Sequence, residues 1–380
     1  MVGSVSRVPA PEPDEQAVVF RNPARERPAP GPRPSSGAAR ALHRRLPGYA
    51  PTRVVDAPGI ASELGLGRVA VKDESQRLGL PSFKILGASW ATYRLLVGRL
   101  GHEPEWEDLG ELRAALAPLG ALTLVTATDG NHGRAVARMA KLLGYDARVL
   151  VPEGTADARI AGIASEGAAV TVVDGGYDDA VRAAAELASD DVLVVSDTSW
   201  DGYTDVPRAV IDGYETIFEE TDAQLERAPA VVVVPMGVGA LAAAVVRHYG
   251  AATTIVVVEP LTAACGLQSA RAGRPVFVPG PHRSIMAGLN CGSVSVVAWP
   301  EIARGADLFV AIPDAAAERA MRDLDAIGVT AGETGAAALA GLRALVEHEP
   351  RALTGAHTLV CCTEGATDPA AYERIVGRAP

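Results

Sequence analysis

The sequence predicts an α/β protein of parallel sheets flanked by helices and divided into two domains. Three observations lead there. Apolar, β-branched runs recur along the chain, they are continuous rather than alternating, and alanine-rich stretches of helical character separate them. A continuous apolar run suits a strand buried on both faces, and strand–helix alternation suits parallel strands joined by crossover helices. About eight such runs, with no repeat of fixed period, exceed what one compact domain needs, so two α/β domains are expected.

Taken in order, "RVAVKDE", "ALTLVTAT", "DARVLVPE", "AVTVVDG", "DVLVVSD", "AVVVVPMG", "TIVVVEP" and "HTLVCCTEG" read as strands, most of them followed by a helix. Residues 1–37 hold "RNPARERPAPGPRPSSG", too poor in apolar side chains to pack, and read largely as a mobile tail. Residues 38–88 and 202–380 are assigned to a large domain and 89–201 to a smaller one. Ligands of open α/β sheets bind beyond the carboxyl ends of the strands. The loops after these runs should therefore carry the chemistry.

The chain has 380 residues, 48% of them hydrophobic, enough for a substantial core. A net charge of −11 and only 4% aromatic residues argue against a nucleic-acid partner, which calls for a basic face with stacking side chains. No apolar run is long enough to span a bilayer, and no signal-peptide pattern opens the chain, so a soluble, cytoplasmic protein is expected. Four cysteines, Cys265, Cys291, Cys361 and Cys362, lack metal-binding spacing, and no metal site is expected.

Four loops stand out. "LPSFKILGAS" places Lys84 after Phe83 at the start of an apolar helix, in a chain with only three lysines, Lys72, Lys84 and Lys141, against 32 arginines. A lysine in such a setting is suited to amine chemistry that arginine cannot perform. "TATDGNHGRAVA" follows a strand, its glycines allow close backbone approach and its amides make a cradle for a carboxylate or phosphate, and Asn131 adds a side-chain amide for a phenolic or carbonyl oxygen. "VVVVPMGVGALAAAVV" runs from strand through Gly237, Val238, Gly239 and Ala240 into a helix, a phosphate-binding arrangement. That segment also fits G-x-G-x-x-A, with Glu259 ending the next strand, so NAD and another phosphate cofactor are equally compatible with it alone. "TLVCCTEGATDP" ends a strand in Cys362 and Thr363, neutral groups able to meet a ring nitrogen. Each loop by itself also fits an ordinary role: a surface lysine, a helix-capping turn, a buried strand end.

Together, "VKDES.R.GLPSFKILGA", "TATDGNHGRAVA", "SDTSWDGYTDVP", "MGVGAL", "SIMAGLNCG", "AGETGAAAL" and "TEGATDP" resemble the fold-type II pyridoxal-phosphate enzymes, within them most of all the diaminopropionate ammonia-lyases. The resemblance runs from about Pro51 to Asp368. It implies the tryptophan synthase β-like fold, with the cofactor bound by the larger domain, and a homodimer. It implies that Lys84, beside Phe83, forms the Schiff base with pyridoxal 5'-phosphate, and that Asn131 bonds the phenolic oxygen. Gly237, Val238, Gly239 and Ala240 would hold the phosphate, Gly288 would lie along the ring, and Cys362 or Thr363 would meet the pyridine nitrogen.

Asp129 stands where the related serine and threonine dehydratases carry a hydroxyl, which suits a substrate bearing a β-amine. Asp197 matches a second active-site aspartate of the ammonia-lyases. The catalytic set expected from the resemblance is Lys84, Asp129 and Asp197, with Thr128, Asp129, Gly130, His132 and Asp197 toward the substrate. The expected activity is elimination of ammonia from 2,3-diaminopropionate. Elimination or β-replacement on a serine-, threonine- or cysteine-like amino acid is the nearest alternative; an NAD-dependent oxidoreductase and a silent amino-acid-binding protein stand further off. The family pattern FK-x-LGG departs here at Ala88, and "EGATD" has Ala366 where an aspartate is common. Cys265 and Cys291 follow cofactor-proximal loops and are candidates for a disulfide, although a reducing compartment favours thiols.

Overall fold

The computed structural model describes residues 16–26, 37–128, 130–250 and 252–380. The chain divides into two compact units. One comprises Pro51–Gln76 and Ile217–Pro380 together with the N-terminal strand, the other Ser35–Ala50 and Arg77–Thr216. The strands of the described residues are β1 (Val18–Arg21), β2 (Val54–Asp56), β3 (Arg68–Asp73), β4 (Thr123–Ala127), β5 (Asp146–Pro152), β6 (Ala169–Val173), β7 (Val192–Val194), β8 (Val231–Pro235), β9 (Thr254–Pro260), β10 (Leu308–Ile312) and β11 (His357–Cys362).

The first unit holds a seven-stranded sheet in the order β1-β10-β9-β8-β11-β3-β2. Its five inner strands are parallel, and β1 and β2 join antiparallel at the two edges. The continuous apolar runs are explained by position: every residue of β8 and β10 is buried. Helix Glu333–His348, buried along residues 333–345, packs on β8, β9, β10 and β11. Glycines allow that approach. A Cβ on Gly335 would lie 2.1 Å from the Glu364 carbonyl oxygen, and one on Gly341 would lie 2.3 Å from Val258 Cγ2. The aliphatic side chains so enclosed, Val256, Val258, Val310 and Leu339 among them, each stabilise the fold by about 1.5–3 kcal/mol relative to exposure.

The second unit holds a parallel four-stranded sheet, β6-β5-β4-β7. Helix Asn131–Leu143 packs on β4 and β5 and against helix Lys84–Leu100, and helix Ala38–His43 covers the latter. His43 is wholly buried there, its ring nitrogens bonded to Thr216 Oγ1 at 2.9 Å and to the Leu86 carbonyl at 3.0 Å.

All eight runs read as strands are strands, and three more exist among the described residues. β1 and β2 are half-buried runs of four and three residues at the sheet edges, without the buried apolar run of an inner strand, whereas β10, LFVAI, is such a run and was passed over. β1 falls within the segment read as a tail: Val18–Arg21 pair with β10, and Asn22 Nδ2 donates to the carbonyls of Ala303 and Ala306. Residues 1–15 and 27–36 of that segment lie outside the described residues. The expected domain limits, 88/89 and 201/202, fall inside the second unit, because long-range contacts such as those of His43 gather helix Lys84–Leu100 and residues 202–216 into it. Among the described residues no helix is long and apolar enough to cross a membrane.

Candidate active site

Lys84 is the first residue of helix Lys84–Leu100, whose next face, Ile85 to Tyr93, is buried. Its ammonium therefore leaves the helix at the end where the side chain can turn away from the core. Lys84 Nζ donates to Asp197 Oδ2 at 2.6 Å, with the lysine side chain 21% and the aspartate 6% exposed. Tyr177 donates its hydroxyl to the other oxygen, Oδ1, at 3.3 Å. Burial works to raise the Asp197 carboxyl, but the Lys84 charge, then His132, and the bonds from Lys84 and Tyr177 hold it well below the usual carboxylate range. A buried, ionised carboxylate thus faces the amine.

Asp197 is placed by its own local sequence. In "SDTSWDGY", Trp200 and Tyr203 stack at 4.2 Å across a turn in which Gly202 takes a positive φ of 84°. The Tyr203 hydroxyl accepts from Ser196 N and donates to the Val194 carbonyl, which pins the backbone just before Asp197.

His132 faces the same pair. Its Nε2 lies 2.9 Å from the Val195 carbonyl oxygen and must donate there, because a carbonyl only accepts. Burial lowers the ring's pKa, so the ring is neutral and Nδ1 is a bare acceptor, 3.9 Å from Asp197 Oδ2. Among the described residues Nδ1 has no hydrogen-bond partner. The loop leading to it is built for close approach. Thr128 Oγ1 accepts from Gly130 N at 2.9 Å, and Gly130 has φ +154°, a conformation that favours glycine. A Cβ on Gly133 would lie 2.3 Å from Thr128 Cγ2. Asn131 opens helix Asn131–Leu143. Asp129 lies outside the described residues.

The other two lysines differ. Lys72, expected at a strand end, is fully buried in β3 and bound to Glu220 at 3.1 Å, Gln224 at 3.0 Å and the Thr52 carbonyl at 2.9 Å. Lys141 is exposed near the end of its helix.

In the first unit, β8 is followed by Met236 and the turn Gly237–Val238–Gly239, after which helix Ala240–Tyr249 begins. Gly239 takes φ +105°, and no side chain caps the helix, so its first amides stay available to an anion. A Cβ on Gly237 would come within 3.0 Å of the Gly288 carbonyl oxygen and 3.1 Å of Cys291 Sγ. The "IMAGL" turn packs directly on the glycine turn. Glu259 does not act as a dinucleotide-binding acid. Its two oxygens accept from Gly266 N at 2.7 Å and Leu267 N at 2.8 Å, at the start of helix Cys265–Ala272, and burial pushes its carboxyl up to about 7. Cys265 and Cys291 are both buried thiols, not joined by a disulfide.

At the end of β11, Cys362 belongs to the apolar core, where burial first and nearby carboxylates second push its thiol well up. Its Sγ lies 3.8 Å from the Glu364 carbonyl. Thr363 Oγ1 donates to the Thr334 carbonyl at 3.4 Å, while Thr334 Oγ1 accepts from Gly288 N at 3.2 Å. Thr334, of the "AGETG" segment, thus links two predicted ring contacts. Its segment carries the family resemblance, but it was missed as a site residue, since its bonds to Gly288 and Thr363 are long-range. Tyr214 was missed likewise: it lies inside helix Asp205–Gln224, its ring 4.7 Å from that of Phe83.

Each group fits a part of pyridoxal phosphate: an amine for the aldehyde, a glycine turn without a Cβ before free helix amides for the phosphate, and a neutral strand end for the ring nitrogen. Residues 45–364 match the family model described as pyridoxal-phosphate dependent enzyme. The chain is 35% identical to diaminopropionate ammonia-lyase of Salmonella typhimurium over 364 residues, covering 88% of this chain and 90% of that protein. The crystal structure of the Escherichia coli diaminopropionate ammonia lyase in complex with D-serine superposes with a TM-score of 0.87 at 32% identity, covering 95% of this chain and 97% of that one. Its complex with an aminoacrylate-PLP azomethine reaction intermediate gives 0.84 at 32% identity, covering 95% and 97%. The chain belongs to the fold-type II pyridoxal-phosphate-dependent enzymes, and its cofactor is pyridoxal phosphate.

Proposed function

We propose that this enzyme eliminates ammonia from 2,3-diaminopropionate, releasing aminoacrylate that hydrolyses to pyruvate and a second ammonia. The observation that carries the reading is the buried, ionised Asp197 held 2.6 Å from the Lys84 amine. A carboxylate there suits a substrate whose β-substituent is itself an ammonium. A serine-type hydroxyl would leave that charge uncompensated.

When bound, the cofactor supplies an electron sink for the carbon that loses its proton. The chain's residues do the rest. Lys84 would hold the cofactor, and its neutral amine takes the α-proton of the L-isomer. Asp129 takes it from the opposite face in the D-isomer. Asp197 keeps the β-nitrogen protonated, so that it departs as neutral ammonia with the electrons of the carbon–nitrogen bond. Thr128, Gly130 and His132 contribute to the substrate cradle, and Asn131 bonds the phenolic oxygen. Gly237, Val238, Gly239 and Ala240 hold the phosphate, and Gly288 lies along the ring. Thr363 rather than Cys362 meets the pyridine nitrogen, since Cys362 is part of the apolar core and Thr363 shares the Thr334 link to Gly288. The enzyme works as a cytoplasmic homodimer.

A serine-type substrate is the second reading, favoured by the relative's complex with D-serine. Ammonia and pyruvate release across D- and L-diaminopropionate, serine, threonine and cysteine decides between them. Turnover of serine equal to that of diaminopropionate would remove the leading reading.

A further inference from the structure

Tyr214 is the largest side chain beside Lys84 that the reading above leaves without a role. It is wholly buried, and among the described residues Lys84 is the group placed to bond its hydroxyl, without closing a full hydrogen bond in this structure. A buried hydroxyl without a full hydrogen bond calls for an explanation, because it has given up water and received little in return. Its position is built, not incidental. Helices Lys84–Leu100 and Asp205–Gln224 meet through two glycines: a Cβ on Gly213 would lie 2.5 Å from the Leu86 carbonyl oxygen, and one on Gly87 would lie 2.5 Å from Tyr214 Cε1 and 2.7 Å from Cζ. Gly87 follows Lys84 by three residues, so it lies on the same helical face one turn on. The missing Cβ admits the phenol beside the lysine, and Phe83 closes the other flank with its ring 4.7 Å away.

The charges that act on the hydroxyl are Lys84 and Asp197. Burial pushes the phenol far above an ordinary tyrosine, against the pull of the Lys84 charge, so it keeps its proton. Facing the Lys84 amine are Asp197 from the loop after β7, His132 from helix Asn131–Leu143, Tyr214 from helix Asp205–Gln224, and Tyr177 through Asp197. In the structure the ammonium sits on Asp197.

We propose that Tyr214 is a positioning residue for Lys84, donating its O–H to the lone pair of the amine whenever that amine is neutral. Asp197 and Tyr214 are then alternative partners for the same nitrogen. The carboxylate receives the ammonium, and the phenol receives the free base that must attack the cofactor or take the α-proton. A donor directed at a neutral amine stabilises the unprotonated form. This rests on the reading of Lys84 as the cofactor-bearing base.

The test is Tyr214→Phe, which keeps the ring and removes only the hydroxyl oxygen. Thermal unfolding of the variant should be unchanged or slightly raised. With only three lysines, competitive acylation of the cofactor-free chain against pH, read by mass spectrometry, follows Lys84 separately. The pH at which it becomes reactive should move up by about half to one unit, as expected for losing one hydrogen bond. On L-diaminopropionate, kcat should fall about 3- to 10-fold at neutral pH and recover at alkaline pH, with KM unchanged. An unshifted reactivity profile, a loss equal at all pH values, or a lowered unfolding midpoint would each overturn the proposal. Borohydride reduction and peptide mapping keep the two readings apart: a cofactor adduct on another lysine sinks the role of Lys84, whereas an adduct on Lys84 with a normal Tyr214→Phe profile sinks only that of Tyr214.

Discussion

Lys84 and Asp197 stand 113 positions apart in the chain, and their side chains meet at 2.6 Å. The contact joins a helix start to a strand end within one unit, and it sets a permanent negative charge beside the amine.

Lys84→Ala should leave a folded protein that neither turns over substrate nor holds cofactor through a reducible bond. Borohydride treatment of the wild type, followed by peptide mapping, should label Lys84 alone. Lys72 is enclosed by Glu220, Gln224 and Thr52, and should remain unlabelled.

Asp129 and Asp197 should separate by substrate. A positioned acid–base group contributes roughly 10²- to 10⁴-fold, so Asp129→Asn should lose about that factor on the D-isomer and clearly less on the L-isomer. Asp197→Asn should instead weaken both diaminopropionate isomers while sparing residual activity on serine. Steady-state kinetics on all three substrates checks this, and equal D and L losses for Asp129→Asn would reduce it to a substrate-positioning residue.

Asp197 also bears on acid stability. Its carboxyl is lower in the folded chain than in the unfolded one, so its stabilisation is fully present above about pH 4 and fades as pH falls through the depressed folded value. Thermal midpoints of the wild type should drop more steeply below pH 4 than those of Asp197→Asn.

Glu259 has the opposite sign. Its folded carboxyl is raised to about 7, so its contribution is full below about pH 4.5 and is lost as pH rises through 7. Between pH 5 and 8 the wild type should lose stability that Glu259→Gln does not. Parallel slopes in thermal unfolding would show that solvent reaches the carboxylate.

Gly237→Ala places a methyl 3.0 Å from the Gly288 carbonyl and 3.1 Å from Cys291 Sγ. Forcing that turn apart costs about 1–3 kcal/mol, which corresponds to roughly a 5- to 150-fold weaker cofactor affinity if the strain is borne by the phosphate turn. Titration of the cofactor-free chain with pyridoxal phosphate measures it.

By itself the sequence determined what short-range pattern can encode. The apolar runs of β3, β4, β5, β8, β9 and β11 were legible as strands because both faces of an inner parallel strand are apolar, β6 and β7 are apolar runs at sheet edges, and the four loops were legible because glycine, proline and polar residues mark the ends of those runs. The rarity of lysine singled out Lys84 without any structure. Tertiary contacts decided the rest. β1 and β2 are short, half-buried edge strands whose identity comes from antiparallel pairing with β10 and β3, and β10 is an apolar run like the other eight that was passed over. His43, bonded to Leu86 and Thr216, draws the Lys84 helix into the second unit across the expected boundary. The sequence left Glu259 equally suited to a nucleotide, and only the fold turned its carboxylate onto the amides of Gly266 and Leu267. Tyr214 carries no local mark at all, and Thr334 only that of its "AGETGAAAL" segment. What distinguishes them is which distant atoms they face, and side-chain periodicity along one segment holds no record of that.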